Sequence, residues 1–297
     1  MFFYFFLRGS AVMTTKRKRV WFITGASKGL GYAYTRAALE AGDQVVAVAR
    51  AISPLDPLKD QYPDSLLPLM LDVRNRESVF AVIQAAKEHF GRLDIVVNNA
   101  GTMTLGMVEE LSESDARDLM ETNFFGALWV SQAVMPHLRE QGSGHIIQIS
   151  SIGALVSGPM SGMYSASKFA LEGLSEALAR EAASFGIKLT MVEPGGYWTE
   201  MYNALRLSHP IEAYGPLREE LAKQYAEGSV DSDPQLAAQA LMKLVDSEDP
   251  PLRLILGSMV FDAAIHSYEE RIATWKSWEP VSRAAEKGIP APEGYGE

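Results

Sequence analysis

Runs that are apolar on consecutive positions recur along the chain as far as Pro194: "RVWFIT", "QVVAVAR", "LLPLMLDV", "LDIVVNN", "GHIIQISS" and "IKLTMVEP". Strands that are apolar throughout are expected where helices cover both faces of a sheet. Between them, "ESVFAVIQAAKEHFG", "ESDARDLMETNFFGALWVSQAVMPHLREQG" and "MYSASKFALEGLSEALAREAASFG" carry apolar residues at helical spacing. Strand alternating with helix in this way predicts an α/β protein on a doubly wound parallel sheet, with helices on both faces. Gly42, Gly91, Gly142 and Gly186 each follow a helical pattern, where a left-handed C-cap favours glycine.

After "VEPGGYWTE" the pattern changes. Residues 201–230 read as a mostly helical insertion with a Pro/Gly break and several aromatics, laid over the sheet edge. "PQLAAQALMKLVDS" then reads as a helix and "LRLILG" as a last strand. Residues 262–297 predict an amphipathic helix followed by a loose tail. At the other end, residues 1–18 hold an apolar run too short to span a membrane, and their basic cluster follows that run instead of preceding it. They are expected to be a disordered, dispensable leader, with Met13 as an alternative start, so that 19–297 forms one domain.

A net charge of -10 and a pI near 5.1 argue against nucleic-acid binding, which needs a positive surface. The absence of cysteine excludes disulfides, thiolate zinc sites and cysteine nucleophiles, and fits a cytoplasmic protein. The five histidines show no paired ligand spacing, so no metal is expected. Stable membrane insertion is not expected either.

"TGASKGLG", Thr24 to Gly31, joins the first strand to the first helix and carries two messages. Gly25-x-Ser27-x-Gly29 fits the elbow of a serine hydrolase, whereas the glycines also make a phosphate cradle. An elbow borrows an oxyanion donor from a loop after an earlier strand, and nothing upstream supplies one. A dinucleotide loop, in contrast, belongs after the first strand, where missing side chains and a helix N-terminus favour pyrophosphate.

The TGxxxGxG spacing resembles the short-chain dehydrogenase/reductase family, and further motifs follow in the family's order. "NNAG" spans Asn98 to Gly101, "METNFFG" holds Asn123, and "YSASK" supplies Tyr164 and Lys168. Ser151 lies thirteen residues before Tyr164, and "EPGGYWT" contains Pro194, Gly195 and Thr199. The matches cover residues 20 to about 200 and imply a Rossmann-type fold with a helical C-terminal substrate-binding insertion. Tyr164 and Lys168, at i and i+4 of one helix, share a face, so the ammonium can lower a phenol pKa that is ordinarily near 10. The resemblance implies that Tyr164 is the general acid/base, that Ser151 hydrogen-bonds the substrate oxygen, and that Asn123 holds a proton-returning water. Lys168 is implied to bind the nicotinamide ribose as well. Ser150 is a neighbouring candidate that residue identity alone does not exclude.

The cofactor loop comprises Gly25, Ser27, Lys28, Gly29, Leu30 and Gly31. The second strand ends in Ala49 and Arg50 where an NAD enzyme would place an acid, and Lys28 adds a second cation. Both resemble the family's NADP pattern, so NADP(H) is expected ahead of NAD(H). Asp72 and Val73 match the adenine contact, Asn99, Ala100 and Gly101 the ribose side, and Pro194, Gly195 and Thr199 the nicotinamide side. Asn98 is expected to bridge strands through its amide. Met160, Met163, Tyr197, Trp198, Met201 and Tyr202 suggest an apolar wall for a hydrophobic ketone, aldehyde or alcohol. The resemblance further implies a homodimer or homotetramer. A cofactor-binding regulator without catalysis is the alternative, and the intact Ser151, Tyr164 and Lys168 argue against it.

Overall fold

The computed structural model describes residues 17–200, 205–228 and 231–288. The expected leader up to residue 16, wall residues Met201 and Tyr202, and the tail from residue 289 lie outside these. The strands are β1 (Val20–Thr24), β2 (Gln44–Ala49), β3 (Leu66–Met70), β4 (Ile95–Asn98), β5 (Thr104–Leu105), β6 (Gly144–Ile149), β7 (Ile187–Pro194), β8 (Arg206–Leu207) and β9 (Arg253–Leu256). Seven of them form one sheet in the order β3-β2-β1-β4-β6-β7-β9, with every pair parallel. The chain winds outward from β1 in both directions, which opens a crevice at the carboxyl ends of β1 and β4. The doubly wound expectation is met.

One core cluster joins β1 and β2 to α1 (Gly29–Glu40), α2 (Asp56–Gln61) and α8 (Pro234–Val245). The other joins the opposite face to α3 (Arg76–Phe90), α5 (Gly126–Gln141) and α6 (Gly162–Ala183). Alternate residues of β1 divide between them, Trp21 and Ile23 one way and Val20 and Phe22 the other. That division is why the strand is apolar at every position, since each face has its own helical layer to fill. Gly42, Gly91, Gly142 and Gly186 all adopt positive φ, as the C-cap reading requires.

Three elements depart from the sequence pattern. The long pattern after Ser112 divides into α4 (Glu113–Met120), a π turn (Glu121–Phe125) and α5. A π turn takes in one extra residue and shifts the carbonyl register, which apolar periodicity does not reveal. In the described part of the segment expected over the sheet edge, β8 pairs with β5 in the loop after β4, and α7 (Gly215–Gly228) follows. The C-terminal helix α9 (Ser258–Ser277) begins ahead of residue 262, directly after Gly257, and α10 (Glu279–Ala284) follows it.

Candidate active site

The glycine loop is built for close approach. Gly25 has φ +62, and a Cβ on it would lie 2.9 Å from Ala100 Cα. A Cβ on Gly31 would meet the Gly25 carbonyl oxygen at 2.3 Å and Asn99 Nδ2 at 2.5 Å, so only glycine lets the first turn of α1 sit on the loop. Asn99 clamps this arrangement by donating Nδ2 to the carbonyls of Thr24 (2.9 Å) and Gly25 (3.2 Å). Helix α1 has no acid in its first turn and no side-chain cap at Lys28, so its amino end is left for an anion. Glu200 takes the Gly29 N–H at 3.0 Å. Glycines that a Cβ would clash with and an anion-seeking helix end together fit a dinucleotide's pyrophosphate.

Ser151, Tyr164, Lys168 and Asn123 come together. Ser151 caps a short 3-10 turn, its Oγ accepting from Gly153 N at 3.1 Å, and its hydroxyl also hydrogen-bonds Tyr164. Lys168 is buried, donates Nζ to the Ile149 carbonyl at 2.8 Å and lies 5.9 Å from the centre of the Tyr164 ring. Asn123, in the π turn, accepts from Thr102 N at 2.8 Å and donates to Thr102 O (2.9 Å) and Ser167 Oγ (3.0 Å). A Cβ on Gly101 would touch both Asn123 Oδ1 and Lys168 Nζ, which puts the "NNAG" loop against this group.

The expected lowering of the tyrosine pKa is not met in this state. Burial raises Tyr164 above its ordinary value, with the Ser151 hydrogen bond acting against it. Burial likewise lowers Lys168 to about 8, opposed by the charge of Glu172. Desolvation penalises the charged form of each, and it outweighs the opposing partner, Ser151 for the tyrosine and Glu172 for the lysine. Ser150 meets the same helix one turn further on, its Oγ donating to Glu172 Oε1 at 2.7 Å, so the two adjacent serines have different partners on α6.

Around the cofactor end, Arg50 and Lys28 are exposed and form no ion pair with a described residue. Asp72 is gripped by Arg74, whose Nη2 lies 2.6 Å from Oδ2, and this hydrogen bond holds the carboxyl below its ordinary value. Val73 is buried against Gly126. Ser27 and Leu30 are half-buried in the loop, Pro194 is buried, and Gly195 N donates to Leu256 O at 3.0 Å. Thr199 packs on Gly29, 3.1 Å from where its Cβ would be. Asn98 corrects one expectation: its amide reaches Ser131 Oγ (3.3 Å) and Ala127 O on α5, not a neighbouring strand.

On the substrate side, Met160 and Met163 are half-buried and Trp198 is largely exposed. Tyr197 is buried in the α1/α8 core cluster, so it serves packing and not the apolar wall. The segment carrying β8 and α7 is latched by Glu110, a residue the sequence reading passed over. Its buried carboxylate accepts from Met107 N, Ser208 Oγ and Ile211 N and pairs with Arg218. Glu200 and Glu172 also went unnoticed. Glu172 had a usable signal, standing four residues after Lys168 on an otherwise buried helix face. Among the described residues, no cluster of His, Cys, Asp or Glu could hold a metal, and no helix is long and apolar enough to cross a membrane.

Comparison with known proteins places the chain among oxidoreductases. Residues 19–209 match the short chain dehydrogenase family model, and the chain belongs to that family. It is 38% identical to oxidoreductase BOA17 of Botryotinia fuckeliana over 90% of this chain and 99% of that protein. A short-chain dehydrogenase from Streptomyces avermitilis superposes with a TM-score of 0.85 at 39% identity, covering 92% of this chain and all of that one. An alcohol dehydrogenase from the archaeon Thermococcus sibiricus, solved with 5-hydroxy-NADP, gives a TM-score of 0.68 at 25% identity, over 81% and 96% of the two chains.

Proposed function

We propose that the chain is an NADP(H)-dependent oxidoreductase interconverting a ketone or aldehyde and its alcohol on a hydrophobic small molecule. The convergence of Ser151, Tyr164 and Lys168 beside the glycine loop carries this reading. Gly25, Ser27, Gly29, Leu30 and Gly31 would hold the pyrophosphate, and Asn99, Ala100 and Gly101 the ribose. Pro194, Gly195 and Thr199 would border the nicotinamide. Asp72 and Val73 would take the adenine, since each carboxylate oxygen accepts more than one donor and Arg74 need not leave. Arg50 and Lys28, neither in an ion pair with a described residue, favour the extra phosphate of NADP. The solved relative with 5-hydroxy-NADP supports the same choice.

When bound, the nucleotide supplies or takes the hydride. In the reducing direction Tyr164 gives its hydroxyl proton to the substrate oxygen, while Ser151 donates a hydrogen bond to that oxygen and stabilises the charge building there. Lys168, as an ammonium, favours the phenolate left behind. Asn123 ties the loop after β4 to α6 and keeps the lysine's wall in place. Met160, Met163 and Trp198 support an apolar substrate.

Titration of the full chain with NADPH and NADH, followed by nucleotide fluorescence, tests the cofactor. NADPH should bind more tightly, and Arg50→Ala should weaken it by about tenfold or more while sparing NADH. Turnover on a panel of apolar carbonyls should fall by at least about a hundredfold in Tyr164→Phe. Failure to bind either nucleotide would overturn the reading.

A further inference from the structure

We propose that Glu172 is a positioning residue for Lys168: one helical turn further along α6, its carboxylate holds the lysine's ammonium and, through Ser150, the strand end that bears Ser151. This rests on Tyr164 and Lys168 being the proton couple proposed above.

Lys168 and Glu172 are each only 5% exposed, so water does little to screen one from the other. Lys168 Nζ donates to the Ile149 carbonyl (2.8 Å), and the next residue, Ser150, donates its hydroxyl to Glu172 Oε1 (2.7 Å). Carboxylate and ammonium therefore grip consecutive residues at the end of β6, immediately before Ser151. Behind Glu172 stands a second tier of charge. Arg253 of β9 reaches Glu172 Oε2 at 3.2 Å, Glu176 Oε2 at 3.2 Å and Glu193 Oε1 at 3.5 Å.

Glu193 of β7 is wholly buried, and both its oxygens are without a hydrogen-bond donor. Burial first, and then the charge of Glu172, raise its pKa to about 8. The protonated form of Glu193 is thereby favoured, and Arg253 contacts both its carboxyl group and that of Glu172. The titratable and charged groups here are Tyr164, Lys168, Glu172 and Glu176 from α6, Glu193 from β7, Arg253 from β9 and Tyr268 from α9. The last borders the same cavity of about 540 Å³ as Glu176, Glu193 and Arg253. Lys168 would lose its proton near pH 8 even with Glu172 in place, so loss of that charge brings the change into the working range.

The test follows the lysine itself. In full-length chain carrying isotope-labelled lysine, the ε-carbon resonance of Lys168, assigned with Lys168→Arg, is titrated against pH. Glu172→Gln should lower the midpoint by about one pH unit, and Glu172→Asp, which withdraws the carboxylate by one methylene, by less. If the Gln variant does not fold, the Asp variant decides alone. The alkaline limb of carbonyl reduction should move down by the same amount, a change that packing loss would not produce. An unmoved midpoint in a folded variant overturns the proposal. That result is distinct from failure of the proton couple, which would appear as undiminished turnover in Tyr164→Phe.

Discussion

Gly29 donates its backbone N–H to the Glu200 carboxylate at 3.0 Å, so an acid from beyond β7 sits on the amino end of α1. The helix offers no first-turn acid or cap of its own, and Glu200 does from a distance what a capping side chain does locally. The pyrophosphate of the proposed nucleotide would seek the same N–H, and the two anions would compete there. Glu200→Gln keeps the shape and removes the charge. It should tighten NADPH binding by about two- to fivefold, the scale of an exposed charge at a helix end. Nucleotide fluorescence would report it, and an unchanged dissociation constant would mean that the carboxylate is no competitor.

Gly31 gives a sharper test of the loop. A methyl group there would lie 2.3 Å from the Gly25 carbonyl oxygen, a backbone atom held in turn by Asn99. The loop must shift, and with it the N–H groups that would face the proposed nucleotide. Gly31→Ala should weaken NADPH by about tenfold or more, with the sheet intact by circular dichroism. A variant that binds as tightly as the parent would place the nucleotide elsewhere.

The frame of the fold was open to reading because strand and helix periods are local, and Trp21, Phe22 and Ile23 announce a two-sided sheet within three residues. The glycine loop and the Tyr164/Lys168 pair were legible for the same reason, their spacing being fixed by one turn and one helix. What the sequence hid joins residues far apart: Gly29 with Glu200, Glu110 with Arg218, Glu172 with Arg253. No periodicity links such partners. Tyr197 was misassigned to the substrate wall because an aromatic after the Pro-Gly turn suits core or cleft equally, and only the path of the backbone decides. Glu193 did leave a trace, as an acid inside the apolar run "KLTMVEP".

Glu110 sets how firmly the β8–α7 segment is held. Burial works against its charge, but hydrogen bonds from Ile211 N, Ser208 and Met107 N, with Arg218, prevail and bring the carboxyl from 4.5 to about 2. A depressed acid stabilises above its unfolded pKa and loses that contribution as pH falls through its folded one. The latch should therefore hold at neutral pH and weaken between about pH 4.5 and 2. At neutral pH, Glu110→Gln should speed amide hydrogen exchange in α7 by about tenfold while leaving β1 protected. Equal protection of α7 in both proteins would assign the hold on this segment to the β5–β8 pairing instead.

His145 should make the sheet itself sensitive to acid. It is buried on β6, its Nε2 lies 3.0 Å from Thr190 Oγ1 on β7, and burial, followed by the charge of Lys188, brings its pKa from 6.5 to about 4. The folded state thus binds fewer protons than the unfolded state between these values. Stability is complete above pH 6.5 and declines as pH falls toward 4, by roughly 3 kcal/mol if the whole shift is expressed. His145→Gln keeps a hydrogen-bonding side chain that does not titrate. Its urea-unfolding free energy should be less dependent on pH across this window than that of the parent. Parallel pH profiles for the two proteins would show that the imidazole is protonated in the folded chain as readily as in the unfolded one.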